Sequence, residues 1–460
     1  MFIKINRRYI IPTILLSILY VLLCCFFSDN TYIIPNVLMG FLICLGVLLV
    51  YDDGQSVFSI KNLFFLLFYV IGIYGRYLYT LIVPDRFMNF TSYATRNVTA
   101  GGHINSILVI IVFTIAFIIG NAKTKSERPL VRVPEKPPIN AWIDIVYILF
   151  TVVYLLYGLS HIRLATVQDY GTYDNLFNNI AYFNRLIAYM YLILFFDEKK
   201  KKYVFMYAIF VVPYIALSLL SLYKGTILTE ILIFMVIVAY KRKIRLRHFA
   251  ILGIAFIIVF PMISMLRSNG IVSGTYNISF EGIGNYLKDN NPIEYILYRF
   301  QYYDETYFVV NTSAAEMSAF RETIIDPITS FFTSIIPRAI WHNKPVGNLS
   351  YSITHTLCNI PTSFTTNVTI GEIGGSYIYW GYPSVIFFAL IHGYLMRKVD
   401  NFLYDKESYP AFSAYVVFGY AMINFTEGLV VGKIVIVISL IIVYMLLRIL
   451  QDFNSKKGGR

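Results

Sequence analysis

Charged side chains are scarce in this chain. They make up 14% of its residues, against about 25% in an average soluble domain. A chain of 460 residues that is 57% hydrophobic cannot cover one soluble core with polar surface. Lipid must supply much of its solvent, which excludes a soluble globular enzyme. Cysteine is rare as well. Cys24, Cys25 and Cys44 fall in apolar runs and only Cys358 in a polar stretch, so neither a disulfide framework nor a metal-ligand spacing can be built. The Walker A motif, the Rossmann glycine fingerprint and the zinc-binding H-E-x-x-H are all missing. The expectation is therefore no metal and no cofactor, and no nucleotide-sugar site on the inner side, where loops are short. Internal repeats of the transporter kind are missing too.

What the chain does have is basic charge in clusters. The formal net charge is +12. Its distribution, as in Lys199–Lys202 and the block Lys241, Arg242, Lys243, Arg245, Arg247, puts cations between apolar runs rather than along one face. That pattern marks the cytoplasmic ends of membrane spans and excludes nucleic acid as the partner.

A span needs about 20 mostly apolar residues. On that rule the chain reads as an all-α polytopic membrane protein of about 12 transmembrane helices. They fall over 9–27, 31–51, 60–83, 105–121, 141–160, 178–196, 203–222, 226–240, 248–265, 376–396, 411–424 and 431–449. The N-terminus looks like a signal peptide but lacks a small-residue cleavage site, so it is read as the first span. Alternate connections carry the Lys and Arg: Lys4, Arg7 and Arg8, then 123–136, 199–202, 241–247, Arg397 with Lys398, and the tail. Both termini are thus expected on the cytoplasmic side of a bacterial inner membrane. Three regions follow: spans one to nine in 1–265, a large external loop in 266–375, and spans ten to twelve with the tail in 376–460. A loop that long should carry structure of its own. Within it, Asn291-Pro292-Ile293-Glu294 reads as a helix start, and Ile293, Ile296, Leu297 and Phe300 recur at helical spacing. The run from Ile324 to Trp341, broken by Pro327 and Pro337, reads as a segment re-entering the outer leaflet.

Candidate chemistry gathers on the outer side. Arg163, Lys224, Arg267, Arg299, Arg338 and Lys344 are cations where positive-inside sorting leaves few. Guanidinium forks bind phosphate oxygens bidentately and Lys supplies a point charge, so a diphosphate at the membrane surface is the natural target. Singly, each would serve as well to snorkel to the headgroups of membrane lipids. The segment Pro337-Arg338-Ala339-Ile340-Trp341-His342-Asn343-Lys344-Pro345 adds a ring for stacking a sugar or anchoring at the interface, and a histidine for base catalysis or hydrogen bonding. Tyr302 and Tyr303 are further sugar platforms, although tyrosine belongs equally at membrane interfaces. Two acids complete the set. Glu372 precedes the tenth span and Glu427 lies between the last two. Either is placed to take a proton from an attacking hydroxyl, or to pair with an outer arginine.

At these residues the chain resembles the Wzy-type O-antigen polymerase family, including its enterobacterial common antigen branch. The similar stretches are Lys224-Gly225-Thr226, Leu266-Arg267 with Gly270, Ile336-Pro337-Arg338 through Trp341 to Lys344-Pro345, Gly371-Glu372 leading to Gly381, and Glu427-Gly428. The resemblance implies a metal-independent, C-type glycosyltransferase-like fold. It implies an enzyme that moves a growing glycan from undecaprenyl diphosphate onto a new lipid-linked repeat unit, for O-antigen or capsule, with a chain-length regulator as partner. The arginines would hold the leaving diphosphate, and Glu427, Glu372 or His342, in that order, would activate the acceptor. The main rival is a lipid-linked oligosaccharide flippase of the Wzx type, which the long outer loop disfavours. A membrane acyltransferase would need a histidine in or next to a span with an acidic partner. His161 and His392 are available for that, without a convincing motif.

Overall fold

A computed structural model describes residues 7–50, 60–84, 98–122, 141–160, 174–220, 224–241, 300–327, 349–361 and 370–403, with the single positions 87, 297, 329, 341, 413 and 416. Every regular element among them is helical. In chain order these are α1 (Arg7–Phe26), a 3-10 turn (Asn30–Tyr32), α2 (Ile33–Val50), α3 (Ile60–Phe64), a π-helical stretch (Phe65–Gly75), α4 (Arg76–Ile82), α5 (Ala100–Asn121), α6 (Ala141–Ser160), α7 (Asp174–Glu198), α8 (Lys201–Leu220) and α9 (Lys224–Lys241). Then come α10 (Tyr302–Val310), α11 (Ala314–Thr323), α12 (Leu349–Ser352) with a π-turn (Ile353–Leu357), α13 (Glu372–Trp380) and α14 (Tyr382–Leu403).

Six stretches among the described residues are long and apolar enough to cross a membrane: Asn30–Val47, Ile60–Ile82, Ala100–Asn121, Ala141–Ser160, Ile180–Glu198 and Lys201–Ser218. They coincide with the second to seventh expected spans. The ninth and twelfth expected spans lie outside the described residues, as does all of the eleventh except Ser413 and Val416. Exposure follows sequence pattern. Ile11, Leu15, Leu19, Leu22 and Phe26 of α1 all point outward, as lipid-facing residues should, because hydrocarbon is as good a solvent for leucine as a protein interior.

The chain forms two compact units. The first comprises Met1–Arg128, Phe300–Asn401 and Ala421–Ile436; the second Pro129–Arg299, Phe402–Tyr420 and Val437–Arg460. In the first unit α5 is the central element, packed by α2, α10 and α13. Its Phe113 and Phe117 join Phe64 and Phe68 in a stack of aromatic rings. Polar bonds tie the helices where apolar contact alone gives no driving force. Ser17 Oγ donates to Gly40 O at 2.7 Å, linking α1 to α2. Tyr77 Oη donates to Asn36 Oδ1 at 2.6 Å, linking α4 to α2. Interhelical bonds of this kind contribute about 0.6 kcal/mol each on average. In the second unit α7 packs against α6, α8 and α9. Tyr147 Oη of α6 donates to Met206 O of α8 at 2.9 Å, and the Tyr191 hydroxyl of α7 donates to Asp144 of α6.

The expected tenth span, 376–396, is not one helix. α13 ends at Trp380, Gly381 takes φ +68°, and α14 begins at Tyr382. Only glycine enters that left-handed region without steric cost. The chain reverses there. Glu372 and His392 touch, Tyr379 and Phe388 rings lie 6.5 Å apart, and Ser384 Oγ donates to Ser376 O at 2.6 Å. In a straight helix the first of these pairs would be separated by roughly 30 Å. α13 has nine residues, too short to cross a bilayer core of about 30 Å. It is one arm of a hairpin, and α14 is the arm long enough to span.

Candidate functional site

In the first unit the hairpin and α10 bring ionisable side chains into an apolar interior. α10 opens with Asp304 and Glu305 in its first turn, where carboxylates suit the positive end of a helix. Asp304 is gripped by Arg76 of α4. Nε donates to Oδ1 at 2.9 Å and Nη2 to Oδ2 at 2.6 Å, with both side chains fully buried. Glu305 Oε2 accepts from Gly371 N at 2.6 Å. Gly371 caps α13 without a side chain to offer, so a carboxylate from another helix satisfies that first backbone donor. Glu372 Oε2 then meets His392 Nδ1 at 2.8 Å, both side chains at 0% exposure. The rings of Phe64 and Phe117 close over the imidazole, with centroids 5.5 and 5.1 Å away.

A second polar layer lies along the same span. His103 Nδ1 and Tyr303 Oη are 2.5 Å apart. Tyr307 Oη accepts from Thr99 N at 3.1 Å, and Asn311 Nδ2 donates to Gly102 O and Ser106 Oγ at 3.2 and 3.1 Å. From His103 to Phe117 is roughly 20 Å along α5 at 1.5 Å per residue. The Glu372–His392 pair therefore sits toward the Ile60 and Asn121 ends of its spans. It is not at the rim where the sequence places an acid preceding a tenth span.

The second unit holds one more such centre. Arg185 of α7 lies 2.9 Å from Glu230 of α9, with Nη2 facing Oε1 and side-chain exposures of 4% and 2%. Tyr189 Oη donates to Glu230 Oε2 at 2.5 Å, and Arg185 Nε to Tyr189 Oη at 3.4 Å. The guanidinium carbon stands 5.9 Å from the Tyr182 ring and 5.6 Å from that of Tyr214.

Of the expected site residues, Glu372 is buried against His392. Tyr302 and Tyr303 are packed into the first unit, at 4% and 0% exposure, rather than displayed as open platforms. Trp341 is half-buried, and Lys224 begins α9. Glu427, His342, Arg163, Arg267, Arg299, Arg338 and Lys344 lie outside the described residues, as do the helix start at Asn291 and most of the 324–341 run. Sequence reasoning missed Arg76, Asp304, Glu305, His103, Arg185 and Glu230, and gave His392 no acidic partner. The signal was available for three of them. Arg76, Arg185 and Glu230 interrupt expected spans, and an ionisable residue inside a span is costly enough to suggest a function. Among the described residues no group of His, Cys, Asp and Glu is placed to hold a metal ion.

The profile of the family described as O-antigen polysaccharide polymerase Wzy matches residues 9–457. No curated protein and no solved structure matches the chain.

Proposed function

The chain belongs to the O-antigen polysaccharide polymerase Wzy family, and from that premise we propose that it joins undecaprenyl-diphosphate-linked repeat units into a surface polysaccharide at the outer face of the cytoplasmic membrane. The family match along nearly the whole chain carries this reading. The growing glycan on its lipid carrier is the donor, and the non-reducing end of a new lipid-linked unit is the acceptor. The acceptor oxygen forms a bond to the donor's anomeric carbon while the bond to the diphosphate breaks. Arg267 and Arg338 hold the leaving diphosphate, aided by Lys344, Lys224, Arg163 and Arg299. Trp341, which is half-buried, offers a sugar-stacking face, whereas Tyr302 and Tyr303, buried in the first unit, are left out of this scheme. Glu427, ahead of His342, accepts the hydroxyl proton. Glu372, the other acid singled out by sequence, drops out of this role, because it meets His392 toward the Ile60 and Asn121 ends of its spans, away from the outer face. The reaction needs no metal in this scheme, and a chain-length regulator is the expected partner.

The test is the glycan ladder of a deletion strain. It is expected to show single repeat units transferred to the acceptor, or loss of capsule, with the ladder restored by the wild-type gene. Arg267→Lys and Arg338→Lys keep the charge but lose the bidentate fork, so each should restore protein without the ladder. Loss of all repeat units from the surface would favour a flippase instead. Wild-type ladders from both Lys variants would remove the diphosphate role.

Orientation has its own measurement. A single cysteine placed in the stretch 266–299 of a Cys-free variant should react with a membrane-impermeant thiol reagent in intact spheroplasts. Reaction only after lysis would put that stretch, and the chemistry assigned to it, on the other side.

A further inference from the structure

The Arg185–Glu230 centre plays no part in the scheme above, and its position is specific. Glu230 follows Lys224, the first residue of α9, by less than two turns, or roughly 9 Å along the axis. Tyr214 lies a similar distance from the Leu220 end of α8. The guanidinium is thus set near the Leu220 end of α8 and the Lys224 end of α9. It is far from the basic turn at Lys199–Lys202, where α7 meets α8. On the orientation proposed above, that is the outer half of the membrane.

The chemistry around it favours an oxyanion. A brace between α7 and α9 needs no charge; a neutral hydrogen bond would serve. Holding a cation inside a span is costly, and such residues commonly mark substrate and ion paths. Arginine rather than lysine occupies the position, and the Tyr182 and Tyr214 rings near its guanidinium keep the planar fork oriented. The carboxylate of Glu230 neutralises it and is itself tied back by the Tyr189 hydroxyl. Glu230 presents to Arg185 what a phosphate would present: an anionic oxygen at hydrogen-bonding distance.

We propose that Arg185, neutralised by Glu230 in this structure, is an additional binding residue for the lipid diphosphate, whose oxygens take the place of the Glu230 carboxylate at the guanidinium. The inference rests on the polymerase reading and deepens it, because it adds an intramembrane contact to the external cations already assigned to the diphosphate. Two anions compete for one cation. Glu230 keeps the empty site from holding a bare charge, and the diphosphate, with more negative charge and more oxygens, displaces it.

The test uses the full-length protein in nanodiscs of zwitterionic phosphatidylcholine, with undecaprenyl diphosphate as the probe. Inorganic pyrophosphate and discs containing phosphatidylglycerol are the comparison arms. Wild type is expected to bind undecaprenyl diphosphate more tightly than pyrophosphate, and phosphatidylglycerol should compete only weakly. Arg185→Lys should weaken that binding at least tenfold with an unchanged thermal midpoint, since lysine keeps the charge and loses the fork. Glu230→Gln removes the competing anion and should tighten binding severalfold. If Arg185→Lys does not fold, Glu230→Gln decides alone. Binding that is unchanged in Arg185→Lys, or no tighter in Glu230→Gln, makes the pair a structural brace and overturns the proposal; so does failure of both variants to fold. Equal competition by phosphatidylglycerol also overturns it, assigning the site to bulk lipid. A wild-type protein that does not bind undecaprenyl diphosphate at all strikes the polymerase reading itself.

Discussion

Replacing Asp304 with alanine is expected to cost the protein about 3–5 kcal/mol of stability, the largest loss of any single change in the first unit. The reason is the partner left behind. Arg76 sits in the stretch Ile60–Ile82, fully buried, with its Nε and Nη2 donating to the two oxygens of Asp304. A guanidinium cannot shed its proton, so it has no neutral form to retreat to. Removing the carboxylate leaves a charge in an apolar interior with its principal acceptor gone. Asp304→Asn should be damaging too, because an amide offers one acceptor oxygen and no charge. The double change Arg76→Met with Asp304→Leu should recover much of the loss, since replacing both members of a buried ion pair by apolar residues is often close to neutral. Thermal midpoints of purified protein in detergent, with yield from the membrane fraction, measure this. A wild-type midpoint for Asp304→Ala would mean that other groups hold Arg76, and the pair would lose its place as the link between α4 and α10.

Gly393→Leu is expected to separate α14 from α5. A Cβ at Gly393 would stand 2.2 Å from Phe117 O and 2.9 Å from Asn121 N; a Cβ at Gly120 would stand 2.2 Å from Leu390 O. These are backbone atoms, which cannot swing aside as the end of a side chain would. Close approach of this kind is how helices associate in lipid, where van der Waals contact replaces the hydrophobic drive. Alanine at either position should cost about 1–3 kcal/mol and leucine more. The loss should extend to the neighbouring residue, because His392 reaches Glu372 from the turn that Gly393 holds in place. The readouts are the thermal midpoint and the yield of a disulfide between cysteines placed on α5 and α14. A Gly393→Leu protein with a wild-type midpoint and the same crosslinking yield would refute the tight crossing.

The chemistry at the two buried centres of the first unit differs in what it demands of the chain. Arg76 and Asp304 lie 228 positions apart in sequence. Nothing local to either residue names the other. By sequence Asp304-Glu305 falls within the expected external loop 266–375. Only the presence of Arg76 and of the bare N-terminus of α13 makes an interior position tolerable for both. The same holds for Glu372. Its place before an apolar run suggests the mouth of a span, and the reversal at Gly381 carries it instead to His392.

Properties that can be averaged along the chain were legible without the fold. Low charge and long apolar runs dictated a helical membrane protein, because every backbone polar group in lipid must be satisfied within its own segment. The boundaries of α1, α2, α5 and α6 follow from the same rule to within a few residues, apart from the start of α5 at Ala100. There the Thr99 hydroxyl, accepting from Gly102 N, begins the helix before its apolar run. Short motifs pointed to the family. The break at Gly381 was also legible in principle, as a glycine just past one helix with Pro383 in the first turn of the next. A hydropathy window runs across that signal, because the residues on both sides are equally apolar. Packing alone settles which ionisable groups meet: Asp304 with Arg76, Glu372 with His392, Glu230 with Arg185. Apolar patterning records burial one residue at a time. A buried charge is made tolerable by a partner whose distance along the chain is unconstrained, and that pairing exists only once the helices have packed.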